Sequence, residues 1–445
     1  MGMYKSYSLR NFEQIPQLKN LSKSERSAIE VVGSVLPFKT NNYVMEELID
    51  WSNIPDDPIF TLTFPRKEML SNNHYSKMEK LILDGTQKEL IDNAAYNIRL
   101  ELNPHPAGQK YNVPTINGIE LTGVQHKYRE TMLFFPSQGQ TCHAYCTFCF
   151  RWPQFVGMNE LKFAMKETEL LVEYLKEHRE VTDVLFTGGD PLIMKTRILE
   201  GYIDALLDDE LFNVQTIRIG TKALGYWPYR FTKDDDADDL IRLFEKIVKK
   251  GKNLAIMAHF NHPVELSTNA VSEAIRRIRA TGAQVRSQSP IMRNINDSPE
   301  VWADMWRKQV NQNIIPYYMF VARDTGAQHF FGIPLAEAWD IFRKAYQSVS
   351  GVCRTVRGPS MSTTPGKIQV LGVSEVNGEK IFVMRFLQGR DPDWAARPFF
   401  AKYDEKAIWL DELKPAFGEE RFFFEEELED IFHEHVDDDE SENFE

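Results

Sequence analysis

Three of the four cysteines in this chain fall within eight residues, Cys142-His143-Ala144-Tyr145-Cys146-Thr147-Phe148-Cys149. Thiols that dense in a chain otherwise poor in cysteine point to a metal. Three thiolates can each hold one iron of a four-iron, four-sulfur cluster, and no fourth protein ligand stands nearby. The remaining iron would keep an open position for a small molecule, as a catalytic zinc does and a structural zinc does not. A zinc knuckle is the competing reading, although His143 is too close in sequence to Cys142 to serve easily as the fourth ligand. The lone Cys353 has no evident partner, which argues against a disulfide-stapled secreted protein.

A second group of chemically useful residues, Thr187-Gly188-Gly189-Asp190-Pro191, follows about forty residues later. Two glycines have no Cβ and can take positive φ, so backbone groups there can approach a ligand closely. Both groups need elements to hold them. From Tyr128 onward, short apolar stretches alternate with amphipathic ones, which is the pattern of βαβ units around a parallel sheet. Strands are predicted at 131–136, 182–186, 215–220, 253–259, 284–288 and 314–321. Helices are predicted at 161–177, 198–207, 236–250, 267–281 and 299–312, many opened by Ser, Thr or Asp.

Polar residues end every predicted strand. The cysteines follow the first, the glycine motif the second and Thr221-Lys222 the third. His259-Phe260-Asn261-His262-Pro263 closes the fourth, Ser287-Gln288-Ser289 with Arg293 the fifth, and Arg323-Asp324 the sixth. Parallel α/β folds bind ligands at the carboxyl ends of their strands, so these groups would meet at one mouth. Thr221 or Ser289 alone would be an ordinary loop residue or cap. The alternation by itself does not separate a barrel from an open doubly wound sheet.

The C-x3-C-x2-C spacing, with Gly188-Gly189-Asp190-Pro191 where the motif is usually GGEP, resembles the radical S-adenosylmethionine (SAM) superfamily. The resemblance implies a [4Fe–4S] cluster on Cys142, Cys146 and Cys149. Its open iron would chelate the amino and carboxylate groups of SAM, and an electron from the cluster would generate a 5′-deoxyadenosyl radical. Gly188, Gly189 and Asp190 would line the methionyl group, with Gln288 and His262 nearby.

Over roughly residues 110–375 the likeness narrows. Met132-Leu133-Phe134, Arg151, Phe186-Thr187-Gly188-Gly189-Asp190, Ile217-Arg218-Ile219-Gly220, His259 to Pro263, and Gln288-Ser289 with Asn296-Asp297 are similar to the lysine 2,3-aminomutase family. That family implies an α/β fold, a partial (β/α)6 barrel. Its cofactors are SAM, the cluster and pyridoxal phosphate (PLP), and it moves an amino group between adjacent carbons. By the same resemblance Lys367, in Thr364-Pro365-Gly366-Lys367, is the lysine that carries PLP. Lys127 and Tyr128 stand at the phosphate site, where Thr131 replaces a second arginine, and Arg151 matches the arginine for the substrate carboxylate. Two aspartates that grip the ammonium of lysine correspond here to Arg323 and Ser360, with Asp324 as a substitute for the first if the loop shifts by one residue. The family's C-terminal zinc cysteines are absent. The expected activity is therefore an amino-acid 2,3-aminomutase, an isomerase, whose substrate is not lysine. The alternatives are a PLP-independent radical SAM enzyme acting on a small molecule or peptide, and a cluster protein for electron transfer or sensing. The polar strand ends argue against the last.

The rest of the chain bounds these readings. Residues 1–115 are expected to be a mostly helical extension, with amphipathic stretches at 24–36 and 77–100 and breaks near Pro55, Pro58, Pro104 and Pro106. Residues 116–330 would form the barrel, 331–423 a C-terminal region carrying Lys367, and 424–445 an acidic, solvated and partly disordered tail with His433 and His435 at its surface. A formal net charge of −13 disfavours nucleic acid as a partner. No apolar run is long enough to span a bilayer and no secretory leader is evident, so a cytoplasmic enzyme is expected. Its partners would be an amino-acid substrate and an electron donor such as flavodoxin or ferredoxin, with a homo-oligomer left open.

Overall fold

The computed structural model describes residues 3–104, 112–158 and 163–441, with side chains as far as His433. Pro106, the first residues of the 161–177 helix, and the side chains of His435 and residues 437–440 lie outside the described residues.

Four short strands precede the main sheet: β1 (Ser6–Ser8) and β2 (Lys39–Asn41) pair as a ribbon, and β3 (Thr115–Ile116) and β4 (Ile119–Glu120) as a hairpin. The main sheet begins with β5 (Val124–Tyr128), which runs antiparallel to β6 (Thr131–Phe134). The parallel strands continue with β7 (Asp183–Phe186), β8 (Thr216–Thr221), β9 (Asn253–His259), β10 (Gln284–Ile291) and β11 (Ile315–Val321). These are the six predicted strands.

A further parallel strand, β12 (Arg357–Ser362), pairs with β11. It escaped the sequence reading because Gly358-Pro359-Ser360 lacks the β-branched and aromatic residues that mark strands. Three antiparallel strands finish the sheet: β13 (Gly366–Val376), β14 (Glu379–Gly389) and β15 (Pro398–Lys402).

The sheet is open but strongly curled. In strand order β5 and β13 are eight steps apart, which at about 4.8 Å per step would separate them by nearly 40 Å if flat. Yet Lys127 on β5 donates to the Thr363 carbonyl beside β13, and the Lys367 ammonium on β13 lies 5.8 Å from the Tyr128 ring. Helices Thr168–Glu177, Thr196–Leu206, Ala237–Lys249, Asn269–Ala280 and Pro299–Asn311 cover the outside. Their starts are set locally. Thr268 and Ser298 accept from the N–H groups three residues on, each bond contributing about 1 kcal/mol.

In β8, Ile217 and Ile219 are buried against the helices, while Thr216, Arg218 and Gly220 are only partly buried on the other side. A fully packed parallel sheet is apolar on both faces. Arg218 in such a strand therefore marks a concave face that is not filled by core.

The 77–100 stretch is two helices, not one: Asn72–Leu83 and Lys88–Glu101, separated where Gly85 adopts φ +62°. The extension also contains the β1–β2 ribbon among its helices. Its apolar residues share a core with Ala144 and Trp152 of the cysteine region and with Tyr226, Met292 and Phe331. The acidic tail differs from expectation as well. Residues Glu425–Ser441 are helical, with Leu428 and Ile431 packed on the C-terminal core and Trp394 bonded to Glu427. Acidic residues in a first turn suit the positive end of a helix, which a charge count alone does not reveal.

Candidate active site

The cysteine loop follows β6 and, from Cys142 to Cys149, contains neither helix nor strand. It is held from outside the barrel. The Cys142 carbonyl accepts from Lys39 Nζ at 2.6 Å, and the His143 carbonyl from Tyr4 Oη at 2.6 Å and Asn41 Nδ2 at 3.2 Å. The Tyr145 N–H donates to the Lys39 carbonyl at 2.8 Å and the Thr147 N–H to the Leu62 carbonyl at 3.0 Å. The Thr147 hydroxyl donates to the Thr61 carbonyl at 2.7 Å. Each thiol also has a cation beside it: Lys39 at Cys142, Lys222 at Cys146 and Arg151 at Cys149. Burial pushes all three thiols above their ordinary range, Cys146 to about 12, and the neighbouring thiolates add to this at Cys142 and Cys146.

The glycine motif rests on the peptide just before Cys142. A Cβ on Gly189 would stand 2.5 Å from the Thr141 backbone, and one on Gly188 2.4 Å from Gln140 Nε2. The missing Cβ of Gly189 thus lets the two loops touch, a role beside the close ligand approach expected from the sequence. Asp190 is engaged within the protein. Its N–H donates to the Thr141 carbonyl at 2.7 Å, and its carboxylate accepts from the Leu192 N–H at 3.0 Å, Thr221 Oγ1 at 2.8 Å and the Lys222 N–H at 2.9 Å. Burial nonetheless pushes this carboxyl up to about 6. What the motif presents beside the cysteine loop is chiefly backbone.

Lys222, just after β8, lies in a buried network with Glu265, a residue the sequence reading does not name. It pairs with Glu265 and donates to Asn261 Oδ1 at 2.8 Å, while Glu265 accepts from the Asn261 N–H at 2.7 Å. The two histidines after β9 separate. His259 lies across from Gln288 on β10, edge-on to Phe148 of the cysteine loop at 5.8 Å, and burial pushes it down to about 3. His262, the residue expected near SAM, instead caps the turn at Pro263–Leu266. Its Nδ1 accepts from the Val264 N–H at 3.4 Å, and its charged neighbours are Lys308 and Asp304 on an outer helix. Gln288 pairs with His259, the histidine whose ring meets the cysteine loop, whereas the contacts of His262 are with Val264 and the outer-helix charges.

From the cysteine loop a line of cations runs into the curled sheet. Arg151 stacks 4.0 Å from the Phe135 ring centroid, and its Nη1 is buried without a hydrogen-bond partner. Burial and then the repulsion of Arg323 push it down to about 9, against the pull of Cys149. Arg323 lies 5.2 Å over the Phe150 ring and beside Asp324 and Tyr128. Next comes Lys127, held well below its ordinary range by burial and by Arg390, Arg323 and Lys367.

Lys367 donates to Gln388 Oε1 at 3.2 Å and sits 4.6 Å from the Tyr318 ring and 5.9 Å from that of Phe320. Burial, then Arg218, pushes it down to about 8. Ser360 is fully buried, its hydroxyl donating to the Arg357 carbonyl at 3.2 Å. The structure therefore brings Arg151, Arg323, Asp324, Lys127, Tyr128 and Lys367 together. To these it adds Arg218, which the sequence reading quotes only within a family motif, and Arg357 and Arg390, which it does not name. Arg218 had a signal, a cation between two isoleucines of a strand; Arg390, beyond the matched region, had none. Asp183 pairs with Arg218 at 2.7 Å and Asp324 stands beside Arg323, so two carboxylates offset part of this charge, but the cations outnumber them and favour binding an anion.

Known proteins align with most of this chain. A protein described as a putative L-lysine 2,3-aminomutase from Aquifex aeolicus (strain VF5) is 31% identical over 404 residues, spanning 91% of this chain and 93% of that one. The L-lysine 2,3-aminomutase of Methanococcus maripaludis is 25% identical across 74% of this chain and 66% of its own length. The glutamate 2,3-aminomutase of Clostridioides difficile (strain 630) is 25% identical across 73% and 65%. No family model matches.

Proposed function

This chain belongs to the lysine 2,3-aminomutase family of radical SAM enzymes, and on that premise we propose that it is a PLP-dependent amino-acid 2,3-aminomutase acting on an amino acid other than lysine. The observation that carries the substrate half is Arg323, which stands between Arg151 and Lys127 at a position where lysine-specific members have an aspartate.

The residues present suit the three groups the family uses. Three thiols spaced along one loop, each beside a cation, can each take a different iron of a cubane. Cys142, Cys146 and Cys149 would hold that cluster, and the backbone of Gly188 and Gly189, with Gln288, would border SAM. Lys127 and Arg390 suit a phosphate, and Lys367, walled by Tyr128, Tyr318 and Phe320, suits the carbonyl of PLP. When bound, the cluster and SAM supply a carbon-centred radical, and PLP supplies the π-system over which nitrogen migrates.

The chain's own residues position and screen. The Arg151 fork, stacked on Phe135 with a buried unpaired Nη1, holds the substrate carboxylate bidentately. Lys367, with its affinity for a proton weakened to about 8, provides a neutral amine at mildly basic pH. Arg323 selects against a cationic side chain. Burying a substrate ammonium beside it without a counter-charge would cost on the order of several kcal/mol. A neutral or acidic side chain fits better.

One observation favours a PLP-independent radical SAM enzyme instead: Lys127 already bonds Thr363, and Lys367 already bonds Gln388. Anaerobic purification separates the readings, because covalently bound PLP gives an absorption that borohydride removes. Assays of the common amino acids with dithionite, SAM and PLP then decide the substrate. Turnover of a neutral or acidic amino acid is expected; efficient conversion of lysine to β-lysine would refute the role of Arg323.

A further inference from the structure

The region before the barrel does more than cover it. Among the described residues, the hydrogen bonds that pin the loop from Cys142 to Thr147 onto the chain before the barrel are made with Tyr4, Lys39, Asn41, Thr61 and Leu62. The apolar side chains of the same loop, Ala144 with the partly buried Cys146 and Phe148, pack into the core of that region and not into the barrel core. A loop with no helix or strand of its own has its shape imposed by these contacts.

The three cations beside the thiols are not equivalent. Lys222 is neutralised locally by Glu265, and Arg151 faces the chamber. Lys39 is directed at the loop itself: its ammonium donates to the Cys142 carbonyl at 2.6 Å, approaches Thr141 Oγ1 at 3.5 Å and lies 5.7 Å from the Tyr145 ring. Thr141 is also the residue against which Gly189 packs, so Lys39 braces the point where the cysteine loop meets the glycine motif.

We propose that Lys39 is a positioning residue for the iron–sulfur cluster, pinning the Cys142 carbonyl and supplying a fixed positive charge that makes the bound cluster easier to reduce. The inference rests on the reading that the three cysteines bind that cluster. Three thiolates leave the site anionic, and an added electron makes it more so. A cation in contact with the ligand loop stabilises the reduced state over the oxidised one, and net charge and hydrogen bonding near the ligands are what set such potentials.

The test uses the full chain, reconstituted without oxygen. Iron and sulfide content are measured, and the midpoint potential is read from the EPR signal of the reduced cluster during a redox titration. Lys39→Met is expected to shift the midpoint to more negative potential, and Lys39→Arg to return it toward the wild-type value. Loss of iron from Lys39→Met with retention in Lys39→Arg would support the same assignment. If Lys39→Met does not fold, Lys39→Gln, which keeps a donor without the charge, carries the measurement with the same expected shift. A wild-type midpoint in the uncharged variant overturns the inference, as does equal loss of iron from the Met and Arg variants at unchanged thermal stability. A wild-type chain that takes up no cluster would sink the parent reading, a result distinct from a loaded cluster indifferent to Lys39.

Discussion

The two ends of the chamber are built on different plans. At the thiol end, three thiols lie in one eight-residue stretch, and the polypeptide around them is clamped by hydrogen bonds from the first sixty-odd residues. At the Lys367 end, Lys127, Arg323, Arg357, Lys367 and Arg390 come from five separate segments and meet only because the sheet curls. A site made within one loop keeps a spacing that can be read. A site assembled across strands leaves no such spacing along the chain.

The sharpest break of this comparison is to remove the thiol end altogether. Replacing Cys142, Cys146 and Cys149 by Ala is expected to abolish bound iron and reductive cleavage of SAM, while a borohydride-sensitive chromophore at Lys367 persists. Iron retained in the triple variant would end the reading of that loop as a cluster site. The converse experiment is Lys367→Ala, expected to lose the chromophore and all aminomutase turnover but to keep wild-type iron and the EPR signal of the reduced cluster. A chromophore that survives would move PLP to another lysine or remove it from the account.

Gly189→Val tests how tightly the glycine motif is joined to the thiol end. Because a Cβ there would meet the Thr141 backbone at 2.5 Å, the variant should lose about 1–3 kcal/mol of stability and reduce iron loading together with SAM affinity. A fall in SAM affinity with full iron loading and unchanged melting would return the glycine to a purely ligand-facing role.

The smallest effect concerns protons at the Lys367 end. Its pKa falls from the usual 10.5 to about 8 through burial and the nearby Arg218. Between those values the unfolded chain holds a proton that the folded chain has released, so stability rises with pH across that window and is flat below it. Without PLP, wild type should gain about 1 kcal/mol per pH unit over Lys367→Met between pH 8 and 10.5, read from denaturant unfolding. A decreasing difference would mean that the lysine is stabilised in its charged form.

Legibility follows the same division. Cys142, Cys146, Cys149, Gly188 and Gly189 were readable because chemistry and spacing are local. The strands were readable because buried parallel strands are short apolar runs, and Asn253–His259 matched to the residue. Strand β12 was not, since Gly358-Pro359-Ser360 carries no strand propensity and is held by its neighbour. The sequence reading places His262 near SAM and gives His259, three residues earlier, no role; the turn at Pro263–Leu266 and the ring contact with Phe148 are what tell them apart.

What the amino-acid order determined on its own is the class of chemistry: three thiols at a fixed spacing, a glycine motif after the next strand, and a lysine and an arginine in matching surroundings. Those signals survive because each depends on neighbours along the chain. What only the tertiary structure decided is charge and support. Arg390 joins Lys127 because a sheet that would be flat at nearly 40 Å is curled until β5 meets the start of β13. Lys39, more than a hundred residues before Cys142, reaches its carbonyl because the extension packs onto the cysteine loop. Coulomb energy and hydrogen bonding depend on distance in space, and distance in space is what a linear sequence does not state.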